Sequence, residues 1–91
     1  MSTKKQNKQE IPKWFDGTIH SKGSEVRNPF SGETYELNAI ELSIYDFIMG
    51  CNQMWGMGLK PTKQTVDQFD KALRWFQKNN IKAYKALLDF I

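Results

Sequence analysis

The chain has one cysteine, Cys51, and one histidine, His20. A thiol nucleophile needs a base within hydrogen-bond reach, and these residues form the one Cys–His pair on offer. Cys51 falls on an apolar helical stripe and reads as a small buried hydrophobe. His20 lies in a segment rich in turn and strand formers and reads as a solvent-facing strand residue. Ser43 has no second histidine to activate it. One cysteine and one histidine cannot build a protein-only zinc site or an intrachain disulfide. Glu33 and Glu36 sit in a turn and strand, whereas Asp67 and Asp70 sit in the first turns of a helix, where the macrodipole favours acid. Gly56-Met57-Gly58-Leu59-Lys60-Pro61-Thr62 superficially resembles a phosphate loop. It lacks the four-residue gap between glycines and the Gly-Lys-Ser/Thr ending, and it follows a helix instead of a strand. No acid, base and nucleophile converge at this level, so neither enzymatic activity nor a metal or cofactor site is expected.

The elements that position these residues follow from period and punctuation. Residues 1–10 are polar and lysine-rich and read as a flexible basic tail, with one domain over residues 11–91. Pro12 holds its neighbours extended. Trp14 and Phe15 are adjacent, so one is expected to enter the core while the other covers an edge. Asp16–His20 and Ser24–Arg27 read as a hairpin around Lys22-Gly23, with β-branched Thr18, Ile19 and Val26. Asn28-Pro29-Phe30-Ser31-Gly32 reads as a type I turn into a third strand, Thr34–Leu37. Asn38 and Glu41 have capping-box spacing. Beyond them Ile40, Ile44, Phe47, Ile48, Cys51 and Trp55 recur at helical spacing, and Leu42, Tyr45 and Met49 form a second stripe. Apolar coverage this wide implies a central helix touched on more than one side. Gly56, Gly58 and Pro61 stop it. Thr62 caps a second helix over Lys63–Lys78, whose apolar face is Val66, Phe69, Ala72, Leu73 and Phe76, with Trp75 off the stripe. Asn79 and Asn80 end it and start a last helix, Ile81–Phe90. The expected fold is α+β: a small three-stranded antiparallel meander, N-terminal, packed on about three C-terminal α-helices.

Charge is unevenly distributed. Lysines predominate over acids from Met1 to Arg27. From Asn28 to Leu59 the chain carries Glu33, Glu36, Glu41 and Asp46 and no base, and from Lys60 onward Lys and Arg again exceed Asp. The basic tail and C-terminal helices could meet a polyanion, so non-specific nucleic-acid binding is the alternative function. The last helix offers mainly Lys82 and Lys85, which suit phosphates better than base edges. The acidic middle and basic end could equally attract each other, within one chain or across a dimer. The apolar-rich run Ile40–Leu59 is broken by Glu41, Asp46, Asn52 and Gln53, so no membrane span is expected. The N-terminal lysines lead into no apolar stretch, so no secretory signal is expected.

Aromatic residues make up 13% of the 91-residue chain, more than a thin core of this size needs. Trp14, Phe15, Tyr45, Met49, Met54, Trp55, Met57 and Trp75 form a surplus of types enriched in interface cores. A homodimer or a docking face for another protein is expected, with Trp55, Met57 and Trp75 as the preferred interface residues.

Along Asn28–Glu33, Glu41–Gly50 and Leu73–Asn80 the chain resembles short uncharacterised proteins of contractile-tailed marine cyanophages, a likeness covering most of residues 11–89. It implies a phage protein made in the host bacterial cytoplasm, where one reduced cysteine is at home. It assigns no active-site residue. The combined expectation is a phage-type accessory protein that binds a host or phage protein, acting as a homodimer.

Overall fold

A computed structural model describes residues 9–15 and 17–89. Strands β1 (Ser24–Arg27) and β2 (Thr34–Leu37) form one antiparallel hairpin, in which Val26 faces Tyr35 and Glu25 faces Glu36. Helices α1 (Ala39–Gly56), α2 (Lys63–Asn79) and α3 (Ile81–Ala83) follow, and α3 runs on into a π-helical segment, Tyr84–Leu88. The chain is α+β, with strands before helices.

Ser24–Arg27 and Thr34–Leu37 are strands as expected, but the first expected strand, over Asp16–His20, is not formed among the described residues. Thr18–His20 has no strand partner among the described residues. The His20 N–H donates instead to Ser43 Oγ (2.8 Å), so the segment is bound across α1 and its backbone is lost to any sheet. The turn expected at Asn28–Gly32 is present and closes the observed hairpin. Asn28 Oδ1 accepts from Phe30 N (2.8 Å) and Ser31 N (3.2 Å), and Gly32 takes φ +81°, which glycine adopts at no steric cost. Asn28 is buried, and its Nδ2 donates to the Ala86 carbonyl (2.9 Å), tying the hairpin tip to the last helix.

Helix α1 starts at a capping box: Asn38 Oδ1 accepts from Glu41 N, and Glu41 Oε1 accepts from Asn38 N. It ends in a Schellman motif. Gly58 is left-handed (φ +96°), Leu59 N donates to Met54 O (3.1 Å), and Gly58 N donates to Trp55 O (3.1 Å). Of the two candidate glycines, Gly58 is therefore the one that takes the cap. Thr62 Oγ1 accepts from Thr65 N at the start of α2 (3.1 Å).

The core joins the inner face of the hairpin to all three helices. Leu37, Ile44, Ile48, Phe76, Leu87 and Leu88 are fully buried, and each such side chain contributes about 1.5–3 kcal/mol. Phe15 enters this core edge-on to Phe47 (ring centroids 5.8 Å apart), while Trp14 is half-buried beside it. Val66, expected on the buried face of α2, is exposed. It lies in the first turns of α2, level with the exposed C-terminal turn of α1, where none of the described elements covers it. Ile81, the first residue of the last helix, is likewise exposed. Phe90, the expected end of the last helix, lies outside the described residues, as does most of the tail expected over residues 1–10.

Candidate functional site

Three constellations could carry function. The first gathers the residues with chemical potential on α1. His20 Nε2 lies 2.5 Å from Asp46 Oδ2, so His20 is a paired, half-buried residue of an irregular segment and not a solvent-facing strand residue. Ser43, one turn before Asp46, is fully buried. Serine, histidine and aspartate thus come together, but not as a nucleophilic triad. Ser43 Oγ accepts from the His20 backbone N–H and donates to Ala39 O (2.7 Å), so its hydroxyl proton is already committed. The arrangement fastens the chain before β1 onto α1.

Asp46 also lines a cleft of about 670 Å³ between α1 and the first turns of α2. Cys51 and Met54 of α1 and Gln64, Thr65 and Gln68 of α2 share the lining. The Cys51 thiol is buried, and that burial raises its pKa, which keeps it protonated and a poor nucleophile. Burial, assisted by the neighbouring Asp46 carboxylate, likewise raises the pKa of the Tyr45 phenol. Gln68 Nε2 donates to Trp14 O (3.1 Å), which closes one side of the cleft with the N-terminal segment. No group of three His, Cys, Asp or Glu able to hold a metal occurs among the described residues.

The second constellation centres on Glu41, which is 4% exposed. Its Oε2 accepts from Gln9 Nε2 (2.8 Å) and Asn80 Nδ2 (2.8 Å), while Oε1 serves the capping box. Asn80 Oδ1 in turn accepts from Ala83 N (3.2 Å) and Tyr35 OH (3.3 Å), and Asn38 Nδ2 donates to Gln9 Oε1 (2.7 Å). One carboxyl therefore links the starts of α1 and α3, strand β2 and the N-terminal segment. Its hydrogen-bonding partners all lie within the fold, which makes this network architectural.

The third is apolar. Met54, Met57, Leu59 and Val66 are between 45% and 71% exposed. All four belong to the end of α1, the connecting turn and the first turns of α2. Trp55 lies beneath this end, half-buried and tilted against Phe69 with ring centroids 4.9 Å apart. Trp75 sits elsewhere. It packs edge-on against Phe76 and lines a smaller groove with Ile11, Pro12 and Asn79. Of the three residues singled out from sequence, Trp55 and Met57 thus share one end of the molecule and Trp75 does not belong to it.

Sequence reasoning missed Leu59 and Val66 as surface groups, and missed Asp46 and Ser43 as partners of His20. A Gly-x-Gly stop followed by leucine does signal an exposed Schellman pair, whereas nothing local signals a contact 26 positions away. No helix is long and apolar enough to cross a membrane among the described residues. No protein-family model, curated protein or solved structure matches this chain.

Proposed function

We propose that the chain acts by binding another protein, as a homodimer, and that its contact face is the apolar end formed by Met54, Met57, Leu59 and Val66. The observation that carries this reading is the exposure of those four large side chains on contiguous elements. Monomeric soluble proteins rarely leave apolar groups clustered in this way, and Met-rich surfaces adapt to partners readily. Trp55 supports the face from below, and Trp75 is set aside as part of a groove shared with the N-terminal segment. The likeness to cyanophage proteins supports an accessory role in the host cytoplasm, directed at a host or phage protein.

A photo-crosslinking side chain at Met57 tests this. In infected host cells it should give one discrete protein adduct, while the same group at exposed Gln77 gives none. Equal adducts from both positions overturn the reading. Nucleic-acid binding has weaker support. Lys71 and Arg74 are paired with Asp67 (3.1 Å) and Asp70 (2.9 Å) on the outer face of α2, which reduces the free positive charge there. Should nucleic acid be the partner, retardation of DNA at low salt would weaken steeply as salt rises.

A further inference from the structure

We infer that a second copy of this chain pairs with strand β1, antiparallel and centred on Val26, so that two hairpins join into one four-stranded sheet. The inference rests on the reading of the chain as a homodimer and assigns the contact between copies to a surface separate from the apolar end.

The hydrogen-bond parity of the hairpin identifies the open groups. Asn28 N donates to Glu33 O across the hairpin (2.7 Å), and the register pairs Val26 with Tyr35 and Ser24 with Leu37. In an antiparallel ladder, residues whose backbone faces the partner alternate with residues whose backbone faces away. Ser24, Val26 and Asn28 face β2, so the N–H and C=O groups of Glu25 and Arg27 point to the open edge. Among the described residues β1 has no partner on that side. The Glu25 carbonyl receives one long bond from Ser24 Oγ (3.3 Å).

Side-chain charge selects the occupant and the register. Glu25 stands directly opposite Glu36 on the solvent face, a like-charge cross-strand pair that destabilises an isolated hairpin. Arg27, two residues along the same face, forms no ion pair among the described residues. A two-fold axis through Val26 places Glu25 opposite Arg27 of the second copy, and Arg27 opposite its Glu25. The outward backbone groups of those residues then face each other with the correct parity for a hydrogen-bonded ladder. Each copy's guanidinium arrives beside the Glu25–Glu36 pair of the other. Centring the axis on Glu25 or Arg27 would instead oppose like charges. Pairing through β2 would set Thr34 against Glu36, with no charge match. On the inner face Val26 meets its own copy in a close pair, and the half-buried Val26 and Tyr35 at the hairpin edge gain cover. Charged residues on a short edge strand ordinarily ward off pairing. Opposite charges placed symmetrically about one residue do the reverse for a second copy of the same strand.

Charge reversal tests this on the full chain, with mass in solution measured by sedimentation across a concentration series. Glu25→Arg and Arg27→Glu should each weaken the dimer about tenfold or more, and Glu25→Arg/Arg27→Glu together should restore it. In a Cys51→Ala background, Val26→Cys should form a disulfide-linked dimer on mild oxidation, because facing residues in a close antiparallel pair lie within disulfide range. A dimer that ignores the charge reversals and dissociates with Met57→Glu overturns this inference and moves the second copy to the apolar end. A wild-type chain that stays monomeric at high micromolar concentration overturns it together with the homodimer. In that case a Met57 adduct would leave protein binding itself standing.

Discussion

At the scale of single residues, side chains with reactive potential are spent on structure. Ser43 uses its hydroxyl to bridge His20 and Ala39, and Asn28 uses its amide oxygen to shape the hairpin turn and its amide nitrogen to hold that turn against Ala86. Cys51 is the sharpest case because it lines the α1–α2 cleft and is nevertheless buried. Desolvation disfavours the thiolate, so the folded-state pKa lies above the ordinary thiol value. The thiolate fraction near neutral pH is then smaller in the folded than in the unfolded chain. Alkylation by iodoacetamide at pH 7.5 should run markedly slower in the folded protein than in urea, because burial both withholds the sulfur from the reagent and disfavours the thiolate. Its rate should climb only as pH passes above the usual thiol range. A mass-spectrometric time course reads both quantities, and equal rates in the two states would show that the cleft admits reagent to a reactive thiol.

At the scale of elements, helix starts carry the organisation, and Glu41 is where they meet. Removing its carboxyl takes away the capping-box acceptor of α1 and the acceptor of Asn80 Nδ2 at the cap of α3. Loss of a cap costs about 1 kcal/mol, and each donor left buried without a partner costs about 1–3 kcal/mol. Glu41→Ala should therefore lower stability by about 3 kcal/mol. Glu41→Gln, which keeps one acceptor oxygen, should cost about half as much. Urea midpoints at constant slope measure both, and a loss below about 0.5 kcal/mol for the alanine variant would refute the linking role. The caps at Asn38, Thr62 and Asn80 were legible from sequence because capping is a local matter of residue type and spacing within one turn. The two strands that form, Ser24–Arg27 and Thr34–Leu37, were legible too, because turn formers bracket them closely; the strand expected over Asp16–His20 was not. Thr18 and Ile19 suggested a strand by β-branching, yet the fate of that backbone was settled by a hydroxyl on α1, 23 positions beyond His20. The site was legible only in part for the same reason. Trp55 and Met57 announce an apolar end by type. Trp75 has the same type, but the N-terminal segment reaches its groove, and no local pattern reports that.

At the scale of the whole molecule, the surplus of large apolar groups divides unequally. Trp14, Phe15, Tyr45 and Trp75 are taken up by the core or packed against it, while Met54, Met57, Leu59 and Val66 remain outside. Among the described residues no buried side-chain nitrogen or oxygen lacks a hydrogen-bond partner, so the interior is internally consistent and the unmet demands lie at the surface. Two of those demands are the apolar end and an open strand edge with matched charges. Joining two copies at β1 would satisfy the edge and display two apolar ends on one particle, a bivalent arrangement that raises avidity without new contacts. Such a dimer has a thermodynamic signature. A second copy that binds only the folded chain stabilises it by mass action, so the melting temperature must rise with protein concentration. Each tenfold increase adds about 1.4 kcal/mol per dimer, or about 0.7 kcal/mol per chain. For a domain of this size that is a rise of about 3–5 °C. Calorimetric scans from 10 to 500 μM should show this rise for the wild type, a flatter dependence for Glu25→Arg, and recovery of the wild-type slope in Glu25→Arg/Arg27→Glu. A melting temperature independent of concentration in all three would mean that folding and association are unlinked in this chain.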